Sequence, residues 1–325
     1  MRLPSGTLAV FLAAAFSTAA LAQPQVAAQS WPARPLRVIV PERAGSAPDA
    51  AARVICERLS QVLREPVRVE DRGDDETAGA QAAARAAPDG YTLFFAPAQA
   101  LVIEPYISSL VPYSPEDDFA SVAMVGLSPF VVAVNPELNV KSLADLVALA
   151  REAPGRLAYA SQGLLTLPGM LGEMLRVRTG IELMPVPYRS GQGVGDTISG
   201  RTHLTIQGIA AIAAAVHSGQ LRAIAVSSAR RLPGLKDVPT LSETFPGFEF
   251  NDWFAIVAPA GTPGGAIQRL NLEMNSLLLD PDIEQRLRAL GIFTQGTSAP
   301  DQVDAFLASE RASWRQTVRE LRIEP

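Results

Sequence analysis

Leu36-Arg37-Val38-Ile39-Val40-Pro41-Glu42-Arg43-Ala44-Gly45-Ser46-Ala47-Pro48-Asp49 is the stretch on which the fold turns. Leu36 to Val40 reads as a short buried strand, and Pro41 ends it because proline cannot donate to a ladder. Ala44 and Gly45 permit a tight turn. Ser46, with an acidic residue three positions on, reads as a helix start with Pro48 tolerated in the first turn. Beyond it Ala52, Ile55, Cys56, Leu59, Val62 and Leu63 recur at helical spacing, while Arg53, Glu57, Gln61 and Arg64 take the other face, so a helix is expected from Pro48 to Arg64. A strand, a small-residue loop and a helix N-terminus put free N–H groups beside a positive dipole end, which suits an anion. An ordinary βα turn reads the same way locally, so the corner needs support from the rest of the chain.

The chain after it repeats the pattern. Pro66–Glu70 reads as a strand, 79–86 as a helix, Pro88-Asp89-Gly90 as a turn, and Tyr91–Phe95 as the next strand. Val122–Val134 is a longer strand-like run, expected to break at Ser128-Pro129. A fresh series follows: helix 142–150, strand 157–160, helix 168–178, strand 183–187, helix 193–199, strand 203–207, helix 212–218 and strand 221–227. After a proline-punctuated connection, Trp253–Ala258 is one more strand, and helices at 263–279, 283–290 and 300–321 are expected to return to the first part of the molecule. Alternation of this kind predicts an α/β fold of two lobes, each a mostly parallel sheet flanked by helices. The expected limits are 31–125 with 229–325 for lobe 1 and 126–228 for an inserted lobe 2. Hinges are expected near 124–128 and 227–230, with a ligand in the cleft between lobes.

Composition narrows the function. Of 325 residues, 48% are hydrophobic and 19% charged, which supports a large core. Net charge is −5 with no run of Lys or Arg, so nucleic acid and anionic membranes find no electrostatic footprint. Arg2, the apolar run Leu8–Ala20 and Ala20-Leu21-Ala22 read as a signal peptide over 1–22, predicting export and a mature chain from Gln23 with charge −6. Cys56, the single cysteine, falls on the apolar side of the first helix and reads as a small buried hydrophobe.

Catalytic machinery is not evident. There is no G-x-S-x-G, H-E-x-x-H, P-loop or C-x-x-C. The two histidines, His203 at a strand start and His217 at a helix end, read as structural. No cofactor, metal or catalytic residue is expected. Two further strand–loop–helix corners stand out instead, Ser161-Gln162-Gly163-Leu164-Leu165-Thr166-Leu167-Pro168 and Tyr188 to Gly195. Backbone N–H groups at such corners can hold a carboxylate without an arginine.

These motifs carry a resemblance. Trp31-Pro32, Pro35 to Pro41, Ala44-Gly45 and Asp49 come first, followed by Ala87-Pro88-Asp89-Gly90-Tyr91-Thr92-Leu93 and Tyr159-Ala160-Ser161 with Gly163 and Pro168. Val186-Pro187-Tyr188, Gly219 to Val226, Asp237-Val238-Pro239-Thr240, Trp253-Phe254 and Ala258 to Pro263 complete the series. In this order the chain resembles the Bug family, the periplasmic solute receptors of tripartite tricarboxylate transporters. The resemblance implies a type II periplasmic binding protein that pins a small carboxylate between its lobes and delivers it to membrane permease subunits. It also implies a periplasmic location, a monomer and no enzymatic activity. A receptor that docks on a membrane sensor kinase would use the same clamshell. Carried over by position, the ligand-binding residues are Glu42, Arg43, Ala44, Gly45, Ser46 and Asp49 on one side. Facing them are Ser161, Gly163, Leu164, Thr166, Pro168, Tyr188, Arg189, Ser190, Gln207, Gly208 and Ile209.

The chain departs from the family pattern at Glu42 and Arg43, at Ser46 (a glycine is usual), in the acidic run Asp74-Asp75-Glu76, and at Leu164, Leu165 and Leu167. If Glu42 faces the cleft it disfavours a close anion, and the leucines make the pocket more apolar. The departures predict an aromatic or aliphatic monocarboxylate rather than a tricarboxylate.

Overall fold

The computed structural model describes residues 31–73, 76–188 and 192–323, and its compact α/β unit begins at Pro32. The expected signal segment and the expected site residues Arg189 and Ser190 lie outside the described residues.

The chain runs β1 (Leu36–Val40), α1 (Ala47–Leu63), β2 (Val67–Asp71), α2 (Glu76–Ala84) and β3 (Thr92–Pro97). A π-helical turn at Gln99–Ile103 leads into α3 (Glu104–Ile107), and then comes the long strand β4 (Phe119–Val134). The second series is α4 (Leu143–Glu152), β5 (Leu157–Ser161), α5 (Leu167–Thr179), β6 (Leu183–Pro187), α6 (Gln192–Ile198), β7 (Leu204–Gly208), α7 (Ile209–His217) and β8 (Arg222–Val226). Last come α8 (Leu241–Thr244), β9 (Asn251–Pro259), α9 (Gly264–Leu278), α10 (Pro281–Ala289) and α11 (Pro300–Glu320). The expected elements are therefore present, with ends moved by a few residues. The helical segment at 99–107 and short α8 were not foreseen.

Two sheets make the two lobes. In the first, β1 lies between β2 and β3 and is parallel to both, β9 runs antiparallel to β3, and the first half of β4 runs antiparallel to β9. In the second, the latter half of β4 lies between β7 and β8, antiparallel to each, and β7, β5 and β6 follow in parallel. Each sheet is thus mixed rather than mostly parallel. The antiparallel pairings all involve β4 or β9, the strands by which the chain crosses between lobes and returns.

β4 also corrects the expected break at Ser128-Pro129. The strand continues through both residues, pairing with β9 as far as Pro129↔Asn251 and with β7 from Phe130↔Gly208. Pro129 sits on the last rung shared with β9, a place where a missing N–H does least harm. From Phe130 the ladder passes to the second sheet, and the Phe130 N–H is taken by Ser227 Oγ at 2.8 Å.

Burial follows the sheets. All six residues of β3 are buried, as expected for a strand covered on both faces. α1 buries Ala52, Ile55, Cys56, Leu59 and Leu63 of the stripe that the spacing predicted, together with Ala51 and Val54, while Val62 is only half-buried. One apolar core runs from Ile39 and Phe94 through Phe130 and Val132 to Leu171 and Met174, so the lobes share it. Helices α9 and α10 pack against α1. α11 covers β4 and reaches further, with Trp314 edge-on to Phe250 (5.3 Å) and Glu320 bridging Arg178 of α5.

Candidate functional site

The loops carrying the expected ligand contacts all leave the C-terminal ends of parallel strands, the usual place for a ligand in an α/β sheet. In the first lobe Ser46 caps α1, its Oγ accepting the Asp49 N–H at 3.2 Å. The reciprocal bond goes one residue back from the ordinary capping box. Asp49 Oδ2 accepts the Gly45 N–H at 2.7 Å and so pins the turn. Asp49 is buried and its other oxygen lies 2.7 Å from Arg53 Nε, while Arg53 also reaches Asp71 Oδ2 at 2.7 Å. Burial pushes the Asp49 carboxyl up, but Arg53 and the Gly45 N–H outweigh it and hold the group below the usual carboxylate range. Asp71, half-buried, is raised instead, first by desolvation and then by the neighbouring Asp49. Asp49 therefore braces the loop from beneath.

Backbone closeness fixes the same loop from the side. A Cβ on Gly73 would stand 2.3 Å from Arg43 N and from Glu42 C, so only glycine lets the loop after β2 touch the loop after β1. Above this contact Glu42 is half-buried and Arg43 exposed. Burial raises the Glu42 carboxyl, opposed only by the nearby charge of Arg43. Ala44 is exposed, and its N–H, like that of Ala47, has no acceptor among the described residues.

The second lobe supplies a larger set. Thr166 caps α5, with Oγ1 accepting from Gly169 N–H (3.3 Å) and donating to Gly163 O (2.8 Å). Ser161 Oγ takes the Gly163 N–H at 3.2 Å, and Pro168 sits in the first helical turn, where it has no N–H to lose. This accounts for Gly163, Thr166 and Gly169, but the N–H groups of Leu164, Leu165 and Leu167 find no acceptor among the described residues. The side chains of Leu164 and Leu165 are half exposed. Three unclaimed donors at a helix start form the kind of backbone cradle that takes an anion.

Neighbouring loops close around this cradle. Tyr188 N–H donates to Ser161 O at 2.7 Å, and its hydroxyl donates to Asp196 at 2.7 Å. Gln207 is buried, bonded to Thr205 Oγ1 and, through Oε1, to Gln162 Nε2 at 2.8 Å. Gly208 is the N-cap of α7, and Ile209 opens that helix against Gly291. The structure thus brings the loops after β5 and β7 together with Tyr188 at the end of β6, while the loop after β1 stands at the end of the other sheet. Among the described residues no hydrogen bond joins the two groups. Gln162, Arg53 and Asp71 were not foreseen as parts of the site. Gln162 lay inside the quoted loop, but its bond to Gln207 crosses 45 positions and leaves no local signal. The expected structural role of His203 is seen directly, with Nδ1 accepting the Ala158 N–H at 2.9 Å.

Comparison with known proteins adds a frame. The model of the tripartite tricarboxylate transporter family receptor matches residues 51–323. Protein BugT of Bordetella pertussis is 36% identical over 308 residues, covering 94% of each chain. Among solved structures, R. palustris Rpa4515 with adipate superposes at a TM-score of 0.79 with 29% identity, covering 91% of this chain and 99% of its own. MatC from Rhodopseudomonas palustris with bound malate gives 0.74 at 25% identity, covering 89% and 100%.

Proposed function

Because the chain belongs to the tripartite tricarboxylate transporter receptor family, we propose that it is a periplasmic receptor that captures one small carboxylate between its lobes and passes it to the permease subunits of such a transporter. The observation that carries this reading is the set of N–H groups at Leu164, Leu165 and Leu167 left unclaimed among the described residues, at the start of α5 in a fold whose neighbours hold adipate and malate. Donors of that kind bind a carboxylate by charge-assisted hydrogen bonds without requiring a positive protein. The lobes divide at 31–125 with 229–325 and at 126–228, and the receptor acts as a monomer, with no step of chemistry.

The ligand class follows from two side-chain features. Among the described residues Glu42 has no hydrogen-bond partner and its charge is offset by Arg43, while Leu164 and Leu165 present half-exposed apolar surface beside the cradle. Together they favour a monocarboxylate with an aromatic or aliphatic body over citrate. A thermal-shift panel of benzoate, hexanoate, adipate, malate and citrate tests both levels. A ligand at 100 times its dissociation constant adds about 2.7 kcal/mol, or roughly 5–10 °C at about 2–4 °C per kcal/mol. No shift with any member overturns the receptor reading. A shift largest with citrate retains the receptor and overturns the monocarboxylate. Uptake of the same labelled acid, lost on deleting the receptor, tests the transporter link.

A further inference from the structure

Behind the crossing strands, where α11 approaches α5, lies a cavity of about 410 Å³, within the range of small-molecule sites. It shares no residue with the loops described above. Its lining mixes polar and apolar groups and is backed by two aromatic pairs: Trp253 and Phe306 meet edge-to-face at 5.4 Å, Phe250 and Trp314 at 5.3 Å. Phe306, Glu310 and Trp314 are four residues apart on α11, so the carboxylate of Glu310 stands between the two ring pairs.

Glu310 is half-buried in this lining, and its carboxylate is the charge that a ligand there would meet. Burial of its carboxyl raises it above the usual carboxylate range, and one bond opposes this, the Trp253 indole N–H donated to Oε2 at 2.9 Å. Oε1 receives no hydrogen bond among the described residues. In the same lining the Asn251 side-chain oxygen is buried with no donor among the described residues. Glu249, also in the lining, is exposed and joins no ion pair among the described residues. The one arginine lining the cavity, Arg178, has its guanidinium committed to both oxygens of Glu320 and lies over the Phe248 ring. Acceptors short of donors, an excess of negative charge and four aromatic rings are complementary to one chemistry. A cation with N–H donors would satisfy Glu310 and lie against ring faces or edges of suitable polarity.

We propose that the cavity between α11, α5 and the start of β9 is a second binding site, for a small organic ammonium ion, with Glu310 as its counter-ion and Trp253, Phe306, Phe250 and Trp314 as its cage. It is independent of the carboxylate cleft and stands whichever acid that cleft takes.

Calorimetric titration of the full mature chain with benzylammonium chloride tests it, with benzyl alcohol as the neutral isostere. The expected result is saturable binding below millimolar dissociation constant, weakened at least tenfold by Glu310→Gln and at least tenfold for the alcohol. Ser313→Trp, at an exposed position on the rim, fills the cavity without touching the core; it is expected to abolish benzylammonium binding while leaving the thermal shift with the cleft ligand unchanged. This variant decides the matter if Glu310→Gln fails to fold. Wild-type binding weaker than 10 mM, equal binding of the alcohol, or undiminished binding by Ser313→Trp overturns the proposal.

Discussion

Gly169→Ala sets two effects of opposite sign against each other. Alanine in place of glycine inside a helix ordinarily stabilises by up to about 1 kcal/mol. At Gly169, however, a Cβ would lie 1.9 Å from Gly163 O, and side-chain carbons do not approach within 3.0 Å, so the carbonyl must retreat by about 1.1 Å (3.0 − 1.9). That carbonyl accepts both Thr166 N–H (3.2 Å) and Thr166 Oγ1 (2.8 Å), bonds worth about 1 kcal/mol each. Crowding adds about 1–3 kcal/mol where the loop cannot give. The net expectation is a loss of about 1–3 kcal/mol in urea unfolding. Gly195→Ala, a helical glycine with nothing within 4 Å, serves as the control and is expected to gain about 0.5–1 kcal/mol. The same retreat tilts the N–H groups of 164, 165 and 167. Losing one charge-assisted bond there, about 1.5–3 kcal/mol, weakens carboxylate binding at least tenfold by calorimetry. A Gly169→Ala variant as stabilised as the control would refute the packing argument. A destabilised variant with unchanged affinity would remove this loop from the binding site.

Three other expectations concern single groups. Asn271→Ala removes bonds from Nδ2 to Val122 O and Ser298 O, both 2.7 Å, which tie α9 to β4 and to the lead into α11; a loss of about 2 kcal/mol in denaturant unfolding is expected. Burial pushes the Cys56 thiol up to about 12, so it should resist iodoacetamide at pH 8 in the folded protein and react once unfolded; rapid native labelling would contradict its buried position. Arg231, through its bidentate pair, and the Thr240 N–H lower the Glu243 carboxyl to about 2. A lowered carboxyl stabilises the fold above its unfolded value, near 4.5, and loses that contribution as pH falls toward about 2. Glu243→Gln should therefore be less stable than wild type at pH 6 and equal to it near pH 2; a gap that persists at pH 2 would point to lost packing.

The fold was legible because its signals are local. Apolar runs bounded by glycine and proline marked β1, β3, β5 and β8, and Ser46 caps the helix that its position announced. What stayed hidden depends on partners far along the chain. Pro129 looked like a break because its harmlessness rests on Asn251, which ends the β9 ladder. The mixed sheets were hidden for the same reason, since β9 returns antiparallel from 251 to pair with both β3 and β4. The candidate site divides in the same way. Its loops could be read from residue types, but the engagement of Arg53 with Asp71 and of Gln162 with Gln207, 18 and 45 positions apart, follows only from three-dimensional placement.

The single strand β4 has a consequence for the birth of the molecule. Its first half, Phe119 to Pro129, has its ladder partner in β9, which the ribosome makes more than a hundred residues later. Until Asn251–Pro259 emerges, a long apolar strand stands without that neighbour, the condition under which nascent chains pair with the wrong strand. The second lobe can complete its own ladder on β4 once β8 is made, yet it must do so on a strand whose other half still waits. Pulse-labelled chains halted near residue 240 should therefore be protease-sensitive around 119–129 and bind chaperones there. Chains that extend through α11 should be resistant.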